Sequence, residues 1–262
     1  MIDYSWTNCS KIIKSEVQTL LSELQKRLGE NIQGIYLNGS LAAGGFNPER
    51  SDIDILVVLA DELTAATKRE LITLLLRTSR MPSPLEIYFV TESALHPFQQ
   101  PVAVQLYYEE KERERYQREI HKDDAQYWAT ETQRSSDLTV YLTKLRHYGI
   151  SLYGKSIQAE IPLVPADTFR KSLLAELQHA LDRRLQDPIT FILNACQANA
   201  YLQTGQILSK SAASDWGLAH LPEAYHPLIE QAQATYRGGR LKRPAGRIML
   251  DKFTAFIKKE LL

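Results

Sequence analysis

The sequence predicts a protein of the α+β class, in which an N-terminal unit with a mixed β-sheet flanked by helices precedes an α-helical C-terminal bundle. Up to about residue 110, β-rich runs alternate with amphipathic helical segments, as in a sheet covered by helices. After about residue 160, every segment between turns has helical spacing. The intervening PLVPADTF carries two prolines and is the best linker candidate, so we expect domains at residues 1–157 and 158–262.

The elements follow from these patterns. Residues 10–28 carry apolar side chains at helical spacing, and Gly29 follows where a C-cap glycine belongs. A β-rich run begins at Ile32 and stops at Gly39 and Ser40. The other elements predicted before residue 160 are strands at 52–59 and 85–90 and helices at 61–79, 109–121 and 137–149. Those predicted after it are helices at 168–186, 189–203, 209–218, 222–236 and 246–261.

Composition excludes some function classes. Lys plus Arg and Asp plus Glu both number 31 in 262 residues, so the net charge is 0 and nothing favours nucleic acid or an anionic membrane as a partner. No stretch approaches the ~20 apolar residues of a membrane helix, and the first residues lack the apolar core of a signal peptide. Cys9 and Cys196 match no zinc or redox spacing. Reduced thiols and a cytoplasmic location are therefore expected.

Two aspartates stand at the start of the second predicted strand. Side chains alternate along a strand, so Asp52 and Asp54 share one face at a separation of about 7 Å. The strand is otherwise apolar on both faces, and such carboxylates repel one another unless a cation offsets the cost. Mg²⁺ suits the pair, because it is often held by one or two carboxylates plus substrate phosphates. A helix cap or turn is the structural alternative.

Glu86 is the only charged residue of the third predicted strand. If that strand pairs with 52–59, three carboxylates converge; a solvated edge is the alternative. Gly39 and Ser40 end the first strand, where backbone N–H groups and a hydroxyl can face a phosphate. Each of these features alone is weak evidence for function, whereas the glycine-serine turn, the two aspartates and the single glutamate in this order favour a functional site.

These residues resemble a known family. The segment from residue 39 to residue 54 is similar to the GS…DxD signature of the polymerase-beta-like nucleotidyltransferase superfamily. It consists of GS, the 11 residues LAAGGFNPERS and then DID. YLNGSLAAGGFNPERSDIDILVVL and PLEIYFV resemble the aminoglycoside adenylyltransferases that modify spectinomycin and streptomycin. DLTVYLTKLRHYGISLYG and LNACQANAYLQTGQILSKSAASDW extend the resemblance over most of residues 30–240.

The resemblance implies transfer of AMP from ATP to a hydroxyl of a cationic antibiotic. Asp52 and Asp54 would bind Mg²⁺, with Glu86 beside them in the metal site. Glu86 would also be the general base for the acceptor hydroxyl. The resemblance further implies a helical domain that closes the substrate cleft, and we expect a monomer.

The nucleotide contacts are implied in the same way. Ser40 and Ser51 would contact phosphate oxygens, with Gly39 in the turn beside them. Asp137, at the acidic start of a helix, would lie in the nucleotide site.

Three residues of the helical region complete the expected site. Lys210 would reach the triphosphate, although from the residues alone it is a surface lysine, and Tyr236 would line the same side. Asp187 would contact the cationic acceptor. Asp187 followed by Pro188 is equally the N-cap and first residue of a helix.

Departures from the family pattern concern the acceptor. HPFQQPVAVQLYYEEKER lacks the tryptophan expected after the third strand, and Gln197 replaces a common arginine. ALDRRLQDPIT lacks the aromatic residue and extra acid expected of streptomycin-accepting members. The preferred acceptor is therefore spectinomycin; another small hydroxyl compound and an inactive nucleotide-binding regulator are the alternatives.

Overall fold

The structure is a computed structural model that describes residues 4–122, 127–128, 138–239 and 246–262. Contacts divide the chain into two compact units. The sheet unit comprises Tyr4–Ala43 and Arg50–Val164, and the helical unit comprises Gly44–Glu49 and Pro165–Leu262. The domain limits at residues 157 and 158 stay a prediction.

The sheet unit is built on five strands in the order β4-β3-β2-β1-β5. Their bounds are β1 Ile32–Leu37, β2 Ile53–Leu59, β3 Leu85–Thr91, β4 Leu106–Glu109 and β5 Ile150–Gly154. β2 and β3 are parallel and the other pairs are antiparallel, which confirms the mixed sheet.

The sequence patterns missed β4 and β5. β4 has four residues and runs straight into the charged stretch that was predicted to be helical from residue 109. That stretch begins instead with the last strand residue and a 3-10 turn, Glu110–Glu112. β5 is a five-residue strand at the sheet edge, too short to show a clear period.

Helices flank this sheet, as predicted. They are α1 Lys11–Leu28, α2 Gly39–Ala43, α3 Ala65–Thr78, α4 Glu92–Leu95, α5 Arg113–Glu119, α6 Thr139–Tyr148 and α7 Ile157–Glu160. α1 begins where the Ser10 hydroxyl accepts a hydrogen bond from the Ile13 amide, and it ends at Gly29 with φ at 51°. Most residues of its apolar stripe are buried, and the predicted helix at 10–28 is confirmed.

The helical unit confirms, for the described residues after about 160, the prediction that this part of the chain is helical. Its helices are α8 Ala166–Asp182, α9 Pro188–Thr204, α10 Lys210–His220, α11 His226–Tyr236 and α12 Arg247–Leu261. α9 is the most buried of them and contacts α8, α10, α11 and α12. α8 ends four residues before the predicted 186, because the chain turns at Arg183 to begin α9.

One face of the sheet has a polar end. Leu56 and Val58 of β2 and Val90 of β3 lie in an apolar core with Leu142 and Leu145 of α6. Asp54 and Glu86 precede these residues on the same face, so that face carries charge only at one end. Both cysteines are buried and form no disulfide. No helix in the described ranges is long and apolar enough to cross a membrane.

Candidate active site

The parallel pairing of β2 and β3 brings the predicted carboxylates together. Asp54 lies directly opposite Glu86 in the register, and its side chain is close enough to affect the pKa of Glu86. Asp52 lies close enough for its charge to raise the pKa of Glu86. Two carboxyl groups this close share either a proton or a cation. The two strand ends therefore form an acidic cluster at the polar end of the sheet face.

Gly39 makes room for Asp54. A Cβ atom at this position would lie 1.8 Å from Oδ2 of Asp54, and the glycine has a φ of 63°. The preceding residue, Asn38, donates its backbone N–H to the carbonyl of Asp54 at 2.9 Å. Ser40 follows within the short helix α2. The glycine of the predicted turn thus lies beside Asp54, the second aspartate of the DID sequence, and the serine is the next residue of the chain.

Two tyrosine hydroxyls hold Glu86. Tyr88 donates to Oε1 of Glu86 at 3.0 Å, and Tyr107 donates to the same oxygen at 3.2 Å. Burial is the main cause of a raised Glu86 pKa; the Tyr88 hydrogen bond opposes it, and the charges of Glu109 and Asp52 add to it. A partly buried carboxylate with a raised pKa is a candidate proton acceptor.

Asn38 and Tyr141 enclose the cluster from the side of α6. Asn38 is only 3% exposed, and its Nδ2 donates to the backbone carbonyl of Tyr141 at 3.2 Å. Burial raises the pKa of the Tyr141 hydroxyl, and the charges of Asp54 and Glu86 raise it further. The sequence patterns did not single out these two residues or the two tyrosines that bind Glu86. The signal available was the tyrosine pair in QLYYEE, which becomes informative only once β4 is known.

The chemistry of this cluster fits a small divalent cation. Its donors are carboxylate oxygens, which Mg²⁺ prefers. Across the described ranges, no group of three or more His, Cys, Asp or Glu side chains is arranged to enclose a metal ion. A site completed by substrate phosphates needs only one or two carboxylates, and the adjacent Asp54 and Glu86 meet that requirement.

The predicted contacts of the helical unit lie as follows. Lys210 is the first residue of α10 and is partly exposed. Tyr236 ends α11, and its carbonyl accepts from Nδ2 of Asn47 at 3.4 Å. Asn47 belongs to the segment 44–49 that follows α2, so this segment packs within the helical unit.

Asp187 caps a helix, which is one of the two roles that the sequence predicts for it. It is the N-cap of α9, and its Oδ1 accepts from the Thr190 amide at 3.1 Å. Ser51 is partly exposed and immediately precedes Asp52. Asp137 lies outside the described residues.

Comparisons with known proteins agree with the fold and the motifs. The nucleotidyltransferase domain family matches residues 17–127, and the C-terminal domain of aminoglycoside adenylyltransferases matches residues 161–260. An aminoglycoside (3'') (9) adenylyltransferase of Escherichia coli is 29% identical over 260 residues, covering 94% of this chain and 95% of its own. A spectinomycin 9-adenylyltransferase of Staphylococcus aureus is 29% identical over 234 residues, covering 87% and 86%.

A solved structure has the same fold. The spectinomycin adenyltransferase of Enterococcus faecialis, crystallised with ATP and spectinomycin, matches with a TM-score of 0.78 at 22% identity, covering 94% of this chain and 99% of that one. The sheet, the carboxylates at its polar end and the matched domains define an enzyme of the nucleotidyltransferase type. More specifically, the C-terminal match and the relatives that span nearly the whole chain make it similar to the aminoglycoside adenylyltransferases.

Proposed function

We propose that this enzyme transfers AMP from ATP to a hydroxyl of an aminocyclitol or aminoglycoside antibiotic and so confers resistance. The observation that carries the proposal is the pairing of Asp54 with Glu86 at one end of the sheet, with Asp52 nearby. The relatives that span nearly the whole chain are named for this reaction. The E. coli relative matches both units, which supports the same activity for the complete chain.

In this proposal the carboxylates have separate roles. Asp52 and Asp54 hold Mg²⁺, with Glu86 at the edge of the metal site. When bound, Mg²⁺ neutralises charge on the triphosphate and on the departing pyrophosphate. Glu86 takes the proton from the acceptor hydroxyl as the acceptor oxygen bonds to the α-phosphorus.

The remaining predicted contacts are part of the same proposal. Ser40 and Ser51 contact phosphate oxygens beside Gly39, and Lys210 and Tyr236 contribute nucleotide contacts from the helical unit. Asp187 caps α9 through one carboxylate oxygen, which leaves its second oxygen to attract the cationic acceptor.

Spectinomycin is the proposed acceptor, because the chain lacks the tryptophan and the extra acid that the larger streptomycin needs in the resembling family. A different small hydroxyl acceptor is the alternative within the same class, and an inactive nucleotide-binding regulator is the alternative outside it. We place the enzyme in the cytoplasm as a monomer, with no nucleic-acid partner.

The test is pyrophosphate release by the purified chain with Mg-ATP and a panel of antibiotics. Spectinomycin should stimulate release more than streptomycin does. Glu86→Gln is the control, because it keeps the size of the side chain and should lower turnover by about 10²-fold or more. Equal or greater stimulation by streptomycin contradicts the acceptor assignment. ATP binding without release for any acceptor favours the regulator.

A further inference from the structure

The hydrogen bonds to Glu86 come from one cross-strand pair of tyrosines. Tyr88 follows Glu86 by two residues on β3, so both side chains lie on the same face. Tyr107 of β4 lies directly opposite Tyr88 in the antiparallel register. Their ring centroids are 4.4 Å apart with an interplanar angle of 31°. Strand pairing therefore delivers two phenol groups to one carboxylate.

Packing fixes these phenol groups. Tyr88 is 9% exposed, and the ring of Tyr141 packs edge-on against it with centroids 5.2 Å apart. Tyr107 is half-buried, and its ring packs against the ring of Tyr88. Rings held in this way lose little further conformational entropy when their hydroxyls bind a ligand or a neighbour.

Both hydroxyls donate to Oε1 rather than one to each oxygen of Glu86. Two donors on one oxygen restrict rotation of the carboxylate about its last side-chain bond and so restrict the direction of the second oxygen. Donors on either oxygen would satisfy the hydrogen-bonding capacity of this carboxylate. Two donors on the same oxygen also determine which oxygen is left to face the reacting atoms.

We propose that Tyr88 and Tyr107 are positioning residues that hold Oε1 of Glu86, so that Oε2 receives the proton of the acceptor hydroxyl. The inference rests on the proposed function, in which Glu86 is the base. The acceptor oxygen forms a bond to the α-phosphorus, the bond from that phosphorus to pyrophosphate breaks, and the proton of the acceptor moves to Oε2. The tyrosines act through Glu86 and do not contact the reacting atoms.

The chain offers a matched control on the same strand. Tyr108 follows Tyr107, points to the opposite face and donates its hydroxyl to Oε2 of Glu110 at 3.2 Å. Tyr88→Phe, Tyr107→Phe and Tyr108→Phe each remove one hydroxyl that donates to a glutamate and keep the ring. Only the first two alter the hydrogen bonds of Glu86.

The experiment measures kcat and KM for spectinomycin and ATP in the three single variants and in the Tyr88→Phe/Tyr107→Phe double variant. We expect kcat to fall about 10-fold in each positioning variant and about 100-fold in the double variant, because misplacement of a base by a fraction of an ångström slows proton transfer. KM should stay within about twofold, since the lost hydrogen bonds do not contact either substrate. Tyr108→Phe should turn over as the wild type does.

A second readout does not depend on activity. Crystal structures of the wild type and the double variant should show Glu86 with its carboxylate rotated in the variant, while β3 and β4 keep their register. An unchanged carboxylate orientation overturns the inference, and so does an unchanged kcat in the double variant. A raised KM for spectinomycin with normal kcat also overturns it, because the hydroxyls would then bind the acceptor directly.

Failure of the proposed function has a different result. If Glu86→Gln turns over as the wild type does, Glu86 is not the base and both the proposed mechanism and the inference fall. If Glu86→Gln is inactive while the double variant keeps full kcat, only the inference falls.

Discussion

A single glycine determines whether Asp54 can occupy its position. Gly39→Ala would place a Cβ atom 1.8 Å from Oδ2 of Asp54 and strain a backbone with φ at 63°. We expect AMP transfer to fall by about 10²-fold or more, because the displaced carboxylate can no longer support the site. Steady-state pyrophosphate release measures this loss, and thermal unfolding reports the cost in stability.

Gly205→Ala is the matched control. Gly205 caps α9 with φ at 71°, but nothing lies within 4 Å of an added Cβ. Gly205→Ala should introduce a backbone strain similar to that of Gly39→Ala. It should lower the free energy of unfolding by about 1 kcal/mol and leave turnover unchanged. Equal loss of transfer in both variants would show that backbone strain, rather than the clash with Asp54, is responsible.

The two aspartates should be essential for transfer but not for folding. Asp52→Asn and Asp54→Asn each remove an anionic ligand while keeping side-chain size, so we expect nearly complete loss of turnover with a normal circular dichroism spectrum. Magnesium titration of the activity provides the measurement. Wild-type turnover in either variant contradicts its metal role.

A buried acid couples α1 to the loop before β3. Glu16 is 5% exposed, and its two carboxylate oxygens accept from the Ser83 amide at 3.1 and 3.2 Å. Burial raises the pKa of Glu16 to about 7 from the ordinary 4.5. Between these values the folded chain binds more protons than the unfolded chain does, so this group's contribution to stability decreases as pH rises from about 4.5 to about 7.

Glu16→Gln removes this pH dependence. The amide oxygen still accepts a hydrogen bond, but no charge is buried above pH 7. Between pH 4.5 and pH 7.5, the free energy of unfolding of the variant should rise relative to that of the wild type by on the order of 2 kcal/mol. Urea unfolding of both chains across this range measures the difference, and parallel stability curves contradict the assignment.

At the level of elements, the sequence predicted the strands and helices that are long enough to show a clear apolar pattern. β2 and β3 were predictable because their apolar residues run through both faces, and Asp54 and Glu86 stood out against them. β4 was not, because four residues carry too little periodicity and a charged run follows at once. The pairing of Tyr107 with Tyr88 depends on the β3–β4 register, which single-strand patterns do not contain.

Across the whole molecule, the helical unit is expected to contribute to nucleotide binding. Lys210→Ala removes the cationic side chain at the start of α10 and should weaken ATP binding by about tenfold. Isothermal titration with a non-hydrolysable ATP analogue measures the affinity. Lys171→Ala, an exposed lysine of α8, serves as the control and should bind ATP as the wild type does. Unchanged affinity in Lys210→Ala contradicts the nucleotide role of this residue.

The central claim is that the carboxylate cluster on β2 and β3 transfers AMP to an antibiotic hydroxyl with Glu86 as the base. Mass spectrometry of spectinomycin incubated with Mg-ATP and the enzyme tests it most directly. The wild-type chain should add one adenylyl group to spectinomycin, and Glu86→Gln should form that product at least about 10²-fold more slowly. Unmodified spectinomycin in the wild-type reaction, or equal product formation by Glu86→Gln, would contradict the claim.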